Sequence, residues 1–180
     1  MTIRFALITA MLLLGLFTVS EAVQRHKQLP LIWGKVFNVY DGDTVAIKDK
    51  SGREVRVQLA YIDAPDMDSK TGDKQPLHAE SMKSLAKMIK GKEVIIESTG
   101  KDKFNRVEGI IYLDRLNVNL EMIRRGMAEI YYPVRVRPKS YIKEYVDQFL
   151  KVEKYAKKSG HGVWSLPDYT SPYKFRRRHR

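Results

Sequence analysis

The chain has 180 residues, with 33 lysines and arginines, 21 aspartates and glutamates, and no cysteine. This length fits one compact domain and excludes a long multidomain assembly. A hydrophobic content of 43% allows a packed core, and the formal net charge of +12 favours polyanionic partners such as nucleic acid or an anionic lipid surface. The lack of cysteine excludes disulfide cross-links, thiolate metal sites and cysteine nucleophiles.

The N-terminal segment has the features of a secretory signal. Arg4 precedes an apolar run over residues 5–19, and residues 20–22 (Ser-Glu-Ala) place small side chains where a signal peptidase reads the chain. The apolar run is shorter than the ~20 residues that a helix needs to cross a bilayer. We therefore predict a signal peptide over residues 1–22 and a secreted or extracytoplasmic protein. An uncleaved membrane anchor through residues 5–19 is the alternative.

Five segments then show the alternating pattern of β-strands. In the two short breaks between the first three segments, glycine stands beside or close to aspartate, which is typical of tight hairpin turns. The first three strands are therefore predicted to form a meander, and two more follow a helical segment. The predicted strands are residues 32–39, 44–48, 53–62, 93–97 and 107–113.

Three segments have helical periodicity. Apolar residues at helical spacing predict an amphipathic helix over residues 76–90, ended by Gly91. A short helix is predicted over residues 120–125 with Asn119 as its N-cap, and a longer one from the cap Ser140 to Lys158.

The order of these elements, β-β-β-α-β-β-α-α, predicts an α+β protein built on a five-stranded OB-fold Greek-key barrel with three helices. An open α+β sheet is the alternative, because periodicity alone does not close a barrel. We place this domain at residues 30–166 and a basic C-terminal tail at residues 167–180. Residues 173–180 carry five lysines and arginines and no acid, so the tail is expected to be mobile and to contact phosphates or an anionic surface.

Two acidic turns lie at strand ends. The first is Asp41-Gly42-Asp43-Thr44, and the second is Asp63-Ala64-Pro65-Asp66 after an apolar run. A hard divalent cation needs carboxylate and carbonyl oxygens from several segments, and two such turns side by side would supply them. Either sequence alone is also typical of an ordinary turn without a function. Together with Arg106 in a later charged turn, they indicate a site for phosphoryl transfer.

At these positions the chain resembles the thermonuclease (staphylococcal nuclease-like) family. The likeness covers residues 34–164 in the family's order. It is carried by Tyr40-Asp41-Gly42-Asp43-Thr44, Val57-Gln58-Leu59-Ala60-Tyr61-Ile62-Asp63-Ala64-Pro65-Asp66, Asp102-Lys103-Phe104-Asn105-Arg106, Val118-Asn119-Leu120, Arg125-Gly126-Met127-Ala128 and Gly162-Val163-Trp164. The resemblance implies an OB-fold barrel and a Ca²⁺-dependent phosphodiesterase that cuts DNA and RNA.

The resemblance also implies a role for each site residue. It makes Asp43 and Asp63 metal ligands through their carboxylates and Ala64 a ligand through its backbone carbonyl. It makes Asp66 the carboxylate that orients or deprotonates the attacking water, where the family usually has the longer glutamate. Arg106 takes the position of the guanidinium near the leaving group.

Three further positions are candidates for binding the substrate. The family's second phosphate-binding arginine falls on Gln58, which has no positive charge to offer phosphate. Arg56 lies on the same face of the strand, roughly 7 Å away, and would cover part of the gap unless it is simply a solvated strand residue. Tyr132 is a candidate for stacking on a base.

The sequence therefore predicts a Ca²⁺-dependent nuclease that acts on DNA, RNA or both. A nucleic-acid-binding module of the same fold with weakened catalysis is the alternative, because Gln58 and Asp66 both depart from the family pattern. We expect a monomer without a protein partner.

Overall fold

The computed structural model describes residues 29–178. The predicted signal peptide or membrane anchor lies outside the described residues. Within the described part of the chain, no helix is long and apolar enough to cross a membrane.

The core of the fold is a closed barrel of five long strands. A six-stranded sheet has the order β3-β2-β1-β5-β6-β7, and β3 also pairs with β6, in parallel, which closes the barrel and confirms the predicted OB-like fold. A separate pair, β4 with β8, lies beside it. The strands are β1 (Leu31–Val39), β2 (Thr44–Asp49), β3 (Glu54–Leu59), β4 (Ile62–Asp63), β5 (Glu93–Lys101), β6 (Val107–Leu113), β7 (Leu116–Asn117) and β8 (Glu129–Ile130).

The three predicted helices are present, and residues 29–178 contain two more. The α-helices are α1 (His78–Ile89), α2 (Val118–Arg124), α3 (Tyr132–Val136), α4 (Lys143–Lys158) and α5 (Pro172–Arg178), with 3-10 turns at Pro138–Ser140 and Gly162–Ser165. The C-terminal tail was expected to be mobile, but residues 172–178 form the helix α5. With five and seven residues, α3 and α5 are too short for periodicity to reveal.

Asn119 was predicted to cap α2, but the cap is Asn117, whose side chain accepts the Leu120 N–H at 2.9 Å. Asn119 is fully buried inside the barrel instead. Its Nδ2 donates to the carbonyls of Ala60 (2.9 Å) and Gly109 (3.0 Å), and its Oδ1 accepts the Ile111 N–H at 3.0 Å. One side chain therefore satisfies three backbone groups where the chain leaves β3 beside β6.

Ser140 was predicted to cap α4, but the helix begins at Lys143. The N-cap position is occupied by Ile142, whose side chain makes no capping hydrogen bond. The helix is fixed instead by tertiary contacts, because Val146 and Phe149 pack into the barrel core. Packing of one apolar face commonly outweighs local capping in setting a helix.

Glu153 is the buried anchor between α4 and the β8–α3 segment. Its carboxylate accepts the Ile130 N–H at 2.8 Å, the Arg135 guanidinium at 2.7 and 2.9 Å, and the Lys157 ammonium at 2.8 Å. Burial by itself would raise the pKa of Glu153, but these donors together hold that pKa below its usual value. Glu153 is therefore ionised at neutral pH and stabilises the folded state.

We expect Glu153→Ala to lower the free energy of unfolding by about 2–3 kcal/mol, because it leaves the buried Ile130 N–H without its charged acceptor. The pKa of Glu153 is lower in the folded chain than in the unfolded one. The stabilisation is therefore present above the ordinary glutamate pKa of 4.5 and is lost as the pH falls through the folded value. Urea unfolding at several pH values tests this. The control Gln148→Ala, at an exposed position of α4, should change little. A constant difference between wild type and Glu153→Ala down to pH 3 would contradict the assignment.

Candidate active site

A cleft of about 940 Å³ opens at one end of the barrel. Three segments line it: the β1–β2 turn, the residues that follow β3 and flank β4, and the β5–β6 turn. The fourth wall is α5. The cleft brings together six predicted site residues from these separate segments, Asp43, Gln58, Asp63, Ala64, Asp66 and Arg106.

Asp43 fixes the β1–β2 turn against the exit from β3. Its carbonyl accepts the Leu59 N–H at 2.7 Å, and its Oδ2 accepts the Ala64 N–H at 2.8 Å. Asp43 also donates its own N–H to Asp41 Oδ1 at 2.9 Å. The two acidic turns noted in the sequence are therefore joined directly, and the carboxylate of the first touches the backbone of the second.

Gly42 makes this approach sterically possible. A Cβ atom at this position would lie 1.9 Å from Ser81 Oγ of α1 and 2.6 Å from the Ala64 Cβ. Ser81 cannot simply rotate away without loss, because its hydroxyl donates to the Met127 carbonyl at 2.6 Å. Glycine is therefore required here by packing, because no side chain fits between the turn and α1.

Asp63 lies at the end of β4 and is held by a residue from the far end of the chain. The Arg176 guanidinium of α5 donates to both its oxygens, with Nη1 2.8 Å from Oδ1 and Nη2 2.7 Å from Oδ2. Arg176 Nη1 also donates to Asp66 Oδ2 at 3.1 Å. Only 7% of the Asp63 side chain is exposed, compared with 33% for Asp66. One cation thus pairs with a predicted metal ligand, Asp63, and with the predicted water-activating carboxylate, Asp66.

Burial raises the pKa of both proposed ligand carboxylates. For Asp43 the largest cause is desolvation, followed by the neighbouring charge of Asp41. For Asp63 desolvation raises the pKa to about 6, even though the Arg176 ion pair pulls it down. Two buried carboxylates in one cleft create a strong demand for positive charge.

Arg106 stands across the cleft from these carboxylates. Its Nε donates to Asp102 at 2.7 Å, which fixes the guanidinium, and its Nη1 reaches the Thr44 hydroxyl at 3.5 Å. The same hydroxyl lies 3.0 Å from Gln58 Oε1 and 3.1 Å from Asp43 Oδ1. Gln58 is therefore part of the cleft wall, but it contributes a neutral amide where the resemblance implies a guanidinium.

Asp66 is positioned through its backbone and by two residues outside the predicted site. Its N–H donates to Gln75 Oε1 at 2.8 Å, and Gln75 Nε2 donates to the Thr170 carbonyl at 2.7 Å. The buried His78 ring places Nδ1 2.9 Å from the Pro65 carbonyl. The second acidic turn is thus held by α1 and by the C-terminal segment.

Two predicted site residues lie outside the cleft. Arg56 stacks its guanidinium on the Tyr40 ring, 4.0 Å from the ring centroid, on the outer face of the barrel. Tyr132 stacks on Tyr173 of α5, with ring centroids 4.1 Å apart. Neither side chain lines the cleft, although Tyr131 and Tyr173 do.

Comparison with known proteins agrees with this architecture. The family model described as staphylococcal nuclease homologue matches residues 56–166. The chain belongs to this family. The resemblance inferred from the sequence motifs is thereby confirmed.

Several named relatives of this nuclease-homologue chain are bacterial. An uncharacterized endonuclease of Haemophilus influenzae is 32% identical over 174 residues, which span 97% of this chain and 86% of the relative. An uncharacterized endonuclease of Escherichia coli is 34% identical over 148 residues, or 82% of this chain and 86% of the relative. A micrococcal nuclease of Shigella flexneri is 29% identical over 153 residues, which cover 80% of each chain.

The family is generally calcium-dependent. The residues of the cleft can therefore be compared with the oxygen ligands that Ca²⁺ requires. Within residues 29–178, no three His, Cys, Asp or Glu residues are grouped so as to hold a metal by themselves. Asp43 and Asp63 nevertheless form an all-oxygen donor pair, buried and close to the Ala64 backbone. Arg176 shows that a cation is accommodated against Asp63. The donor chemistry fits Ca²⁺ if a backbone carbonyl and water complete the shell.

Sequence reasoning missed two charged residues in this region. Arg176 was predicted to belong to the basic C-terminal tail, outside the domain that carries the site. Glu129 was not singled out, yet it pairs with Asp63 in the β4–β8 ladder and is buried. Desolvation and then the nearby Asp63 charge raise the pKa of Glu129 to about 7. No motif marks either residue, because Arg176 reaches Asp63, and Glu129 pairs with Asp63, only through contacts between distant parts of the chain.

Gly42→Ala should destabilise the protein by about 1–3 kcal/mol, because the added methyl group forces the β1–β2 turn away from α1 and Ala64. Thermal unfolding followed by circular dichroism measures the effect. An unchanged melting temperature would show that this contact is not close-packed in solution.

Proposed function

We propose that this protein is a metal-dependent nuclease that hydrolyses phosphodiester bonds in DNA, RNA or both. One observation carries the proposal: two buried carboxylates from separate turns share a cleft with a fixed arginine, in a chain of the staphylococcal nuclease homologue family. The positive charge of the whole chain supports a polyanionic substrate.

In this proposal Asp43, Asp63 and the Ala64 carbonyl hold Ca²⁺. When bound, Ca²⁺ neutralises phosphate charge and helps to orient the reacting groups. Asp66 orients the attacking water and accepts its proton; the partial exposure of the Asp66 side chain gives it access to solvent. Arg106 donates to the phosphate oxygens as negative charge develops, and its ion pair with Asp102 preorganises it for that role.

The second candidate function is a nucleic-acid-binding module with weakened catalysis. Gln58 favours it, since its amide is engaged with Thr44 and supplies no charge to a phosphate. Arg56 does not compensate in this arrangement, because its guanidinium covers Tyr40. The cleft would then bind the backbone of nucleic acid but cleave it slowly.

The compartment and the assembly state follow from the sequence only. We propose an extracytoplasmic protein, secreted after cleavage at residue 22 or anchored through residues 5–19, that acts as a monomer. Mass spectrometry of the mature N-terminus distinguishes the two forms.

The proposed activity is tested by digestion of plasmid DNA, single-stranded DNA and RNA with Ca²⁺ or with a chelator. Cleavage should require Ca²⁺, and Asp43→Ala should reduce it at least a hundredfold because a ligand carboxylate is removed. Asp147→Ala, which changes an exposed aspartate of α4, serves as the matched control and should retain activity. Tight nucleic-acid binding without metal-dependent cleavage would select the binding module instead.

Gln58→Arg should raise the cleavage rate about tenfold or more, because a charge-assisted contact to the transition-state phosphate is worth a few kcal/mol. Arg56→Ala should change the rate little, because Arg56 lies outside the cleft. Single-turnover cleavage at saturating Ca²⁺ measures both variants. The reverse pattern, no gain from Gln58→Arg and a large loss from Arg56→Ala, would place the second phosphate cation at Arg56.

A further inference from the structure

The C-terminal helix α5 forms one wall of the cleft. Tyr173, Phe175, Arg176 and Arg177 all line the cleft beside the acidic turns. Two contacts hold the helix there from outside: Tyr173 stacks on Tyr132, and the Thr170 carbonyl accepts the Gln75 amide. The segment is therefore docked against the residues that bind metal in the proposed function.

Arg176 uses the same atoms that a metal needs. Both oxygens of Asp63 accept hydrogen bonds from its guanidinium, and the Asp63 side chain is largely shielded from water. Because the metal would coordinate an Asp63 oxygen, and because a divalent ion repels a guanidinium at contact distance, the two cations cannot both occupy this position. Entry of a metal requires Arg176 to move.

The cost of burying Asp63 explains why a cation is held there. An isolated ionised carboxylate at this depth is strongly unfavourable, whereas a bidentate arginine pair offsets much of that cost. Arg176 also pairs with Asp66, so one side chain covers a ligand and the proposed water-activating group together.

We propose that Arg176 is an intramolecular competitor for the metal site, and that α5 is an autoinhibitory segment displaced when metal binds. The proposal rests on the metal site of the proposed function. In the closed state the guanidinium neutralises Asp63 and Asp66. In the open state the metal takes Asp63, and the arginine-rich end of α5 becomes available to the phosphates of a bound nucleic acid.

Calcium affinity tests the competition without relying on catalysis. Isothermal titration of the full-length, metal-stripped protein with Ca²⁺ should show that Arg176→Gln binds about tenfold more tightly than wild type, which corresponds to ~1.4 kcal/mol. Arg178→Gln is the matched control: it removes the same charge from the same helix at an exposed position that makes no ion pair with the described residues. Its Ca²⁺ affinity should equal that of wild type.

Hydrogen exchange gives a second readout on the wild-type protein. Amides of residues 173–178 should exchange faster when Ca²⁺ is added, whereas amides of β6 should not change. Equal or weaker Ca²⁺ binding by Arg176→Gln would overturn the proposal, as would unchanged protection of α5 in the Ca²⁺-bound protein or the absence of Ca²⁺ binding in both proteins.

Cleavage assays keep this proposal separate from the proposed function. If Arg176→Gln binds Ca²⁺ more tightly but neither it nor wild type cleaves nucleic acid, the competition holds and the nuclease proposal fails. If wild type cleaves but Arg176→Gln shows no gain in Ca²⁺ affinity, the nuclease proposal holds and the competition fails.

Discussion

The parallel pairing of β3 with β6 is the contact on which both the barrel and the cleft depend. It places Val57 beside Val107 and Gln58 beside Glu108, although the paired residues are 50 positions apart in the chain. Since Arg106 directly precedes β6, this pairing also brings Arg106 to the Thr44–Gln58 wall. An open sheet built from the same strands would leave the arginine far from the acidic turns.

Asn119 lies at the junction that makes this closure possible. Strands that separate at the end of a barrel leave backbone groups without ladder partners, and those groups are costly when buried. Asn119 binds the carbonyls of Ala60 and Gly109 and the N–H of Ile111. The exit from β3, which leads within four residues to Asp63, is thus tied to β6 by a side chain. The buried hydrogen bonds of Asn119 therefore help to fix the position of Asp63 at the end of the barrel.

The sequence predicts much of this fold because its main elements are locally encoded. Alternation reveals the five barrel strands, and apolar spacing reveals α1 and α4. Predictions from local sequence are wrong where tertiary contacts determine the role of a residue. Asn119 resembles a helix cap yet is needed in the core, and the N-terminus of α4 forms without the cap expected at Ser140. The pairing of Asp63 with Arg176 spans 113 positions, and no local pattern reports a contact of that range.

The charges of the C-terminal tail also could not be interpreted from local sequence alone. A run of arginines without acids reads as a solvated polyelectrolyte, for which every charge is equivalent. Folding removes that equivalence. The seven-residue α5 turns Arg176 toward Asp63 and Asp66 while Arg177 and Arg178 remain exposed. Arg176 meets the buried Asp63 carboxylate, where solvent and salt screen its charge less, whereas the exposed charges of Arg177 and Arg178 interact through solvent. Adjacent residues of one type therefore differ in their electrostatic environment, and that difference arises from the acidic turns that the barrel brings to its rim.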